Sequence, residues 1–289
     1  MSFPATPPAL DGVTHSDAVV ERVRWHVASA GAGRPVLLLH GWPQHWWMWR
    51  EVIPDLAGDH RVHAPDLRGF GWSDAPPGRY SKMGLACDVE RLLDELGIDS
   101  CVVVGHDWGA LVGWLLAMRA PGRVERLVAL SNVHLWPRPT RTTAKATLAI
   151  SYQFPLATPV LGDRVAAHAI ARTALRIGAR GVPPEDARLY ADQYERRDHA
   201  AASSALYRTF LLRELAQLLG GRYRNRRVEQ PVLLATGRHD PVVTPERQGG
   251  GEDHAPNMRK AVIEKAGHFV VDEQPQDVIR LIREELNAS

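Results

Sequence analysis

The sequence predicts an α/β protein: a mostly parallel central sheet flanked by helices, with a helical segment inserted into it. Three observations lead there. Short runs rich in β-branched residues and Leu alternate with segments whose apolar residues recur at spacings of three and four. The runs are apolar on both faces, as strands covered on each side are, and their alternation with helices is the pattern of parallel pairing. Between about residues 135 and 225 the alternation lapses. There the chain is Ala- and Arg-rich, helical in pattern and without a convincing strand.

In chain order the strand-like runs are "VLLLH" (36–40), "RVHAPD" (61–66), "CVVVG" (101–105), "RLVALS" (126–131), "PVLLATG" (231–237) and "KAVIEKA" (260–266). Helical spacing is clearest around 81–97, 108–119 and 274–287. The inserted segment begins after "RLVALS" at the Pro-rich "WPRPT" and ends before "EQPVLLATG". The expected division is a core of 1–134 and 226–289 and a cap of 135–225. Such a cap would cover the carboxyl ends of the strands, where sheets of this kind place their chemistry.

A chain of 289 residues with 45% hydrophobic content can bury a large core. Its net charge of +2 gives no reason to expect nucleic acid as a partner. Residues 138–227 hold sixteen Lys or Arg against seven Asp or Glu, which reads as a solvated helical surface. Apolar runs are too short for a membrane span, and "MSFPATPPALDG" shows no secretory pattern. Two cysteines, Cys87 and Cys101, suit a reducing cytosol better than a disulfide framework, so the expected location is cytoplasmic. The Gly-rich stretch 247–260, with Asp253 beside His254, reads as a mobile surface loop rather than a metal site. No cofactor or metal is expected.

The chemistry concentrates at "GHDWGA" (105–110). A strand runs into Gly105, turns over Asp107 and enters a helix at Trp108, with small residues two before and two after the Asp. This is the layout of a nucleophile elbow, which aims a helix N-terminus at the central side chain and favours a negative charge there. An Asp at such a turn also serves as a helix cap. Its partners favour catalysis: Asp240 in "LLATGRHDPVVTPE" and His268 in "KAGHFVVDEQPQ" follow later strands, in the order nucleophile, acid, base. The backbone N–H groups of Trp42, in "LLLHGWPQHWWMWR", and of Trp108 are placed to form an oxyanion hole. His40 and His106 read as structural, tying loops together, and Asp66 in "APDLRGFGWSD" as part of a bracing turn.

With these segments in view, the chain from about Val13 to Leu286 resembles the α/β-hydrolase superfamily, specifically its epoxide hydrolase branch, a neighbour of the haloalkane dehalogenases. "HGWPQHWWMWR", "DLRGFGWSD", "GHDWGA", "GRHDPVVTPE" and "GHFVVDEQP" are similar, in that order, to the branch's oxyanion, turn, nucleophile, acid and base segments. The resemblance implies attack by Asp107 on an sp³ carbon, giving an ester that water activated by His268, oriented by Asp240, then hydrolyses. It also implies two cap tyrosines that donate to the epoxide oxygen. The contexts "SYQFP" and "LYRTF" point to Tyr152 and Tyr207, whereas Tyr190 and Tyr194 stand among charged residues and read as surface. The implied partner is a small epoxide, apolar or aromatic, and the expected state a monomer or homodimer. A haloalkane dehalogenase with the same nucleophile, and a ligand-binding homologue without the reaction, are the alternatives.

Overall fold

The computed structural model describes residues 3–137, 151–159, 161–163, 167–178 and 181–288. Strands β1 (Thr14–Val20), β2 (Val23–Ala30), β3 (Arg34–Leu39), β4 (His60–Pro65), β5 (Cys101–His106), β6 (Val124–Leu130), β7 (Val232–Gly237) and β8 (Met258–Ile263) form one sheet. Its order is β1-β2-β4-β3-β5-β6-β7-β8. β2 pairs antiparallel with β1 and β4, and every pairing from β4 across to β8 is parallel. The apolar runs of β3, β5 and β6 are sealed from water: Val36–Leu39, Cys101–Val104 and Leu127–Leu130 are all at 0% exposure. Apolar residues on both faces of a strand need cover on both sides, which the helices supply.

Those helices are α1 (Val52–Leu56), α2 (Lys82–Glu95), α3 (Trp108–Arg119), α4 (Gln153–Ala157), α5 (Ala167–Gly178), α6 (Pro184–Asp192), α7 (Arg197–Thr209), α8 (Leu215–Leu219), α9 (Val270–Glu273) and α10 (Pro275–Asn287). α3 is buried on nearly every side, from Trp108 to Ala117. α10 is amphipathic, burying Val278, Ile279, Leu281, Ile282 and Leu286. Among the described residues between β6 and β7, every regular element is helical. None of the helices in the described residues is long and apolar enough to cross a membrane.

Six strands stand where the apolar runs place them, and two do not come from that reading. β1 and β2 form a hairpin whose turn residues, Glu21 and Arg22, both have positive φ (48° and 68°). Two-residue turns of that hand are usually marked by Asn-Gly or Asp-Gly, and Glu-Arg gives no such sign. β1 buries only Ala18 and Val20, too few for a visible alternation. The last strand also ends at Ile263 rather than 266, because Glu264 and Lys265 already turn. The stretch 247–260 is partly covered as well: Gln248 and Ala255 are buried and His254 stacks on Trp136, with ring centroids 4.9 Å apart.

Candidate active site

β5 delivers Asp107 and α3 leaves from it. Asp107 has φ 50° and ψ −118°, a conformation that costs a non-glycine residue on the order of 1–3 kcal/mol and persists where the surroundings over-determine it. Here they do. Its N–H donates to the Leu130 carbonyl at 3.0 Å, and Asn132 Nδ2 donates to its carbonyl at 2.9 Å. The flanking glycines permit the crowding: a Cβ at Gly105 would lie 2.6 Å from Ala110 backbone atoms, and one at Gly109 would lie 2.2 Å from the Leu39 carbonyl oxygen.

The Asp107 side chain makes no capping hydrogen bond to α3. It turns instead to the loop after β3, where the Trp42 N–H donates to Oδ2 at 3.0 Å. Burial pushes Asp107 above the ordinary carboxylate range; His268 and the Trp42 and Trp108 amides oppose that shift without cancelling it. The helix and amides therefore favour the anion, as the turn suggests, but desolvation outweighs them.

His268 lies between β8 and α9, with Nδ1 2.8 Å from Asp240 Oδ2 and Nε2 3.9 Å from Asp107 Oδ1. Asp240 is pinned in turn: Oδ1 accepts from the Val242 and Val243 amides at 2.7 and 2.9 Å. With Nδ1–H donated to Asp240, Nε2 faces Asp107. Burial lowers the basicity of His268, but Asp240, by charge and hydrogen bond, and Asp107 outweigh it and hold the imidazole up at about 9. His106 donates Nε2–H to the His268 carbonyl at 2.9 Å, and His40 accepts from the Leu67 amide at 2.9 Å while donating to the Gly41 carbonyl at 3.0 Å. Burial depresses both imidazoles, His106 to about 3, so each is a neutral tie between loops. Asp66 accepts from the Trp46 and Trp72 amides at 2.8 and 2.9 Å, bracing the same edge.

Tyr152, just before α4, and Tyr207, on α7, meet above these groups. Their phenol oxygens are 3.2 Å apart. Tyr152 stacks on Trp42 at 5.3 Å, and Tyr207 sits edge-on to Trp42 and Trp108 at 5.3 and 5.5 Å. Burial, and for each the nearby Asp107, raise both phenols above their ordinary range, so both hold their protons.

Tyr190 and Tyr194 are a correction: they are buried, at 0% and 3% exposure, not on the surface. Tyr190 donates to Asp272 at 3.0 Å and Tyr194 to the Pro43 carbonyl at 3.3 Å. One of their charged neighbours, Asp186, is buried and paired rather than solvated. Asp186 binds Arg50 and the Trp47 indole N–H, both at 2.7 Å. Other contributors lay outside the sequence reading. Ser203 accepts from the Trp42 indole at 2.7 Å, and Lys82, fully buried, lies 4.3 Å from the Trp108 ring centroid. A signal for Lys82 existed: it occupies the same helical stripe as Leu85, Ala86, Val89, Leu92 and Leu93, a core position held by a charge. Among the described residues, the group with metal-ligand spacing is His168, Asp192 and Glu195, and it shares no residue with Asp107, Asp240 and His268.

A parallel sheet, an elbow after its central strand and an acid and base on later loops define a hydrolase-type site. Residues 34–275 match the α/β hydrolase fold family, and the chain belongs to it. It is an epoxide hydrolase-like α/β hydrolase. "Soluble epoxide hydrolase" of Corynebacterium sp. (strain C12) is 46% identical over 121 residues, 42% of either chain. "Epoxide hydrolase 3" of Siraitia grosvenorii is 29% identical over 96% of this chain and 99% of its own. The solved structure of epoxide hydrolase CorEH without ligand superposes with a TM-score of 0.81 at 30% identity, over 94% of this chain and 98% of that one. The match thus spans about two fifths of the first of these relatives and nearly all of the other two.

Proposed function

We propose that this protein hydrolyses an epoxide to a vicinal diol through an ester on Asp107, with residues 135–225 acting as a cap over a core of 1–134 and 226–289. The observation that carries the reading is the pair of protonated phenols 3.2 Å apart, packed on Trp42 over an Asp107–His268–Asp240 set. A carboxylate can alkylate without a base to remove its proton, but an opening epoxide leaves as an alkoxide and needs a donor. Two cap phenols supply one.

In the first step an Asp107 carboxylate oxygen forms a bond to an epoxide carbon as the ring C–O bond breaks. Tyr152 and Tyr207 hydrogen-bond the departing oxygen and transfer a proton to it. The ester leaves Asp107 without charge, so one of the two anions supporting the His268 imidazolium is gone. Its Nε2 proton then restores the phenol, leaving a neutral base oriented by Asp240. In the second step that base takes a proton from water, whose oxygen attacks the Asp107 carboxyl carbon. The Trp42 amide, already on the carboxylate, and the neighbouring Trp108 amide hold the oxyanion. Collapse expels the diol and restores the carboxylate.

Trp136, the indole at the margin of the cap that a halide would need, donates to the Tyr223 carbonyl at 2.7 Å. The test pairs aryl and alkyl epoxides with matched haloalkanes. Expected are diol from epoxides, no turnover by Asp107→Ala, and an adduct on His268→Gln heavier by the intact epoxide. Consumption of epoxide with no adduct in the intact-mass spectrum, or halide release without diol formation, would overturn the reading.

A further inference from the structure

Lys82 opens α2, yet its side chain is at 1% exposure instead of reaching water. Its partners come from far along the chain. Nζ donates to the Leu206 carbonyl at 2.7 Å and pairs with Glu214 Oε2 at 3.1 Å. Glu214 Oε1 accepts from the Lys82 backbone N–H at 2.8 Å, so one carboxylate holds both the ammonium and the first amide of α2. The ammonium also lies over the ring faces of Trp108 and Phe210, at 4.3 and 5.1 Å, contacts that favour a cation in a dry site.

Two of these partners are next in the chain to reacting groups. Trp108 follows Asp107, and Leu206 precedes Tyr207. Phe210–Glu214 is a π-helical turn set directly after α7, a departure from the regular ladder that is frequent at functional sites. The Leu206 carbonyl accepts from the Phe210 amide at that junction, and Lys82 is its second donor. Burying an ammonium is costly, and an apolar residue at this core-facing position would avoid the cost. The charge therefore calls for a use.

We propose that Lys82 is a positioning residue: by gripping the Leu206 carbonyl and the Glu214 carboxylate, it fixes the turn of helix that presents Tyr207 to the leaving oxygen above Asp107. This rests on Tyr207 being a proton donor, as proposed above. Burial brings Lys82 down to about 8, against the opposing charges of Glu214 and Asp107. The grip is thus charged at neutral pH and is lost as pH rises through about 8.

The experiment compares Lys82→Met and Lys82→Arg, each in a His268→Gln background, by the single-turnover rate of adduct formation on styrene oxide and by amide hydrogen exchange over 206–214. Lys82→Met should slow alkylation roughly ten- to hundred-fold while half-saturation moves little, because the loss is one of geometry at the donor. With Lys82 present the rate should fall as pH rises through about 8. Lys82→Arg, charged throughout, should keep most of the rate and lack that limb. Exchange over 206–214 should quicken in Lys82→Met, with β5 unchanged. An unaltered alkylation rate with unaltered exchange overturns the proposal. Should no epoxide form an adduct even with Lys82 in place, the reading of the site falls, and exchange alone decides the grip: quickened supports it, unchanged ends it. Should Lys82→Met not fold, Glu214→Gln carries the same comparison.

Discussion

At His268, burial and two carboxylates pull in opposite directions, and the carboxylates win. A histidine held at about 9 when folded, against 6.5 as its ordinary value, binds its proton more tightly in the native state. By linkage that adds stability in full below 6.5, and the contribution disappears as pH rises through about 9. The wild type should therefore unfold at a higher temperature than His268→Gln at about pH 6, with the gap closing by about pH 10. Thermal melts of both proteins across that range check it, and a constant gap would mean that His268 is neutral in the resting enzyme. The same charge gives the proposed ester a part in the second step. In the proposed mechanism, the imidazole loses an anion that keeps it protonated only when Asp107 becomes neutral, so the base would be made available by the reaction itself.

At the scale of elements, the elbow depends on how closely α3 approaches the end of β3. A methyl at Gly109 would meet the Leu39 and His40 carbonyl oxygens at 2.2 and 2.5 Å, and backbone cannot step aside as a side chain can. Gly109→Ala should cost roughly 1–3 kcal/mol in urea unfolding, as overpacking does. On the proposed mechanism it should also slow ester hydrolysis more than alkylation, since retreat of α3 would move the Trp108 amide from its proposed place at the oxyanion. Stopped-flow separation of the two steps checks the second point. This crowding is also why the elbow was legible in the sequence: two glycines around an Asp between a strand and a helix have few other uses. β3, β5, β6 and β7 were legible for a similar reason, because stretches buried on both faces are apolar on both. The β1–β2 hairpin was not, since β1 buries only Ala18 and Val20, β2 carries buried His26 among its apolar residues, and the turn is closed by Glu21 and Arg22. Tyr190 and Tyr194 were misread because Asp186, which suggests solvent in sequence, is neutralised by an arginine more than a hundred residues away.

That arginine acts at the scale of the whole molecule. Arg50 stands in the loop region after β3, Asp186 on α6 and Asp272 on α9, directly after the base loop. Its guanidinium reaches Asp186 at 2.7 Å and Asp272 at 2.5 Å, and Tyr190 donates to Asp272 as well. Three stretches, one from each side of the site and one from the helical segment, thus converge on a single side chain with 12% exposure. Surface ion pairs of that kind would contribute little, but here the carboxylates are enclosed, at 11% and 0%. Without Arg50, two desolvated acids face each other with no cation between them. Arg50→Met should therefore destabilise the fold by about 3–5 kcal/mol in chemical denaturation, the range for breaking a buried pair by removing one partner. Adding Asp272→Asn should recover part of that, because it removes a charge that the first change left unpaired. If the double variant is no more stable than Arg50→Met alone, the packing of the Arg50 stem, rather than its charge, holds α6 and α9 to the loop that carries Trp42.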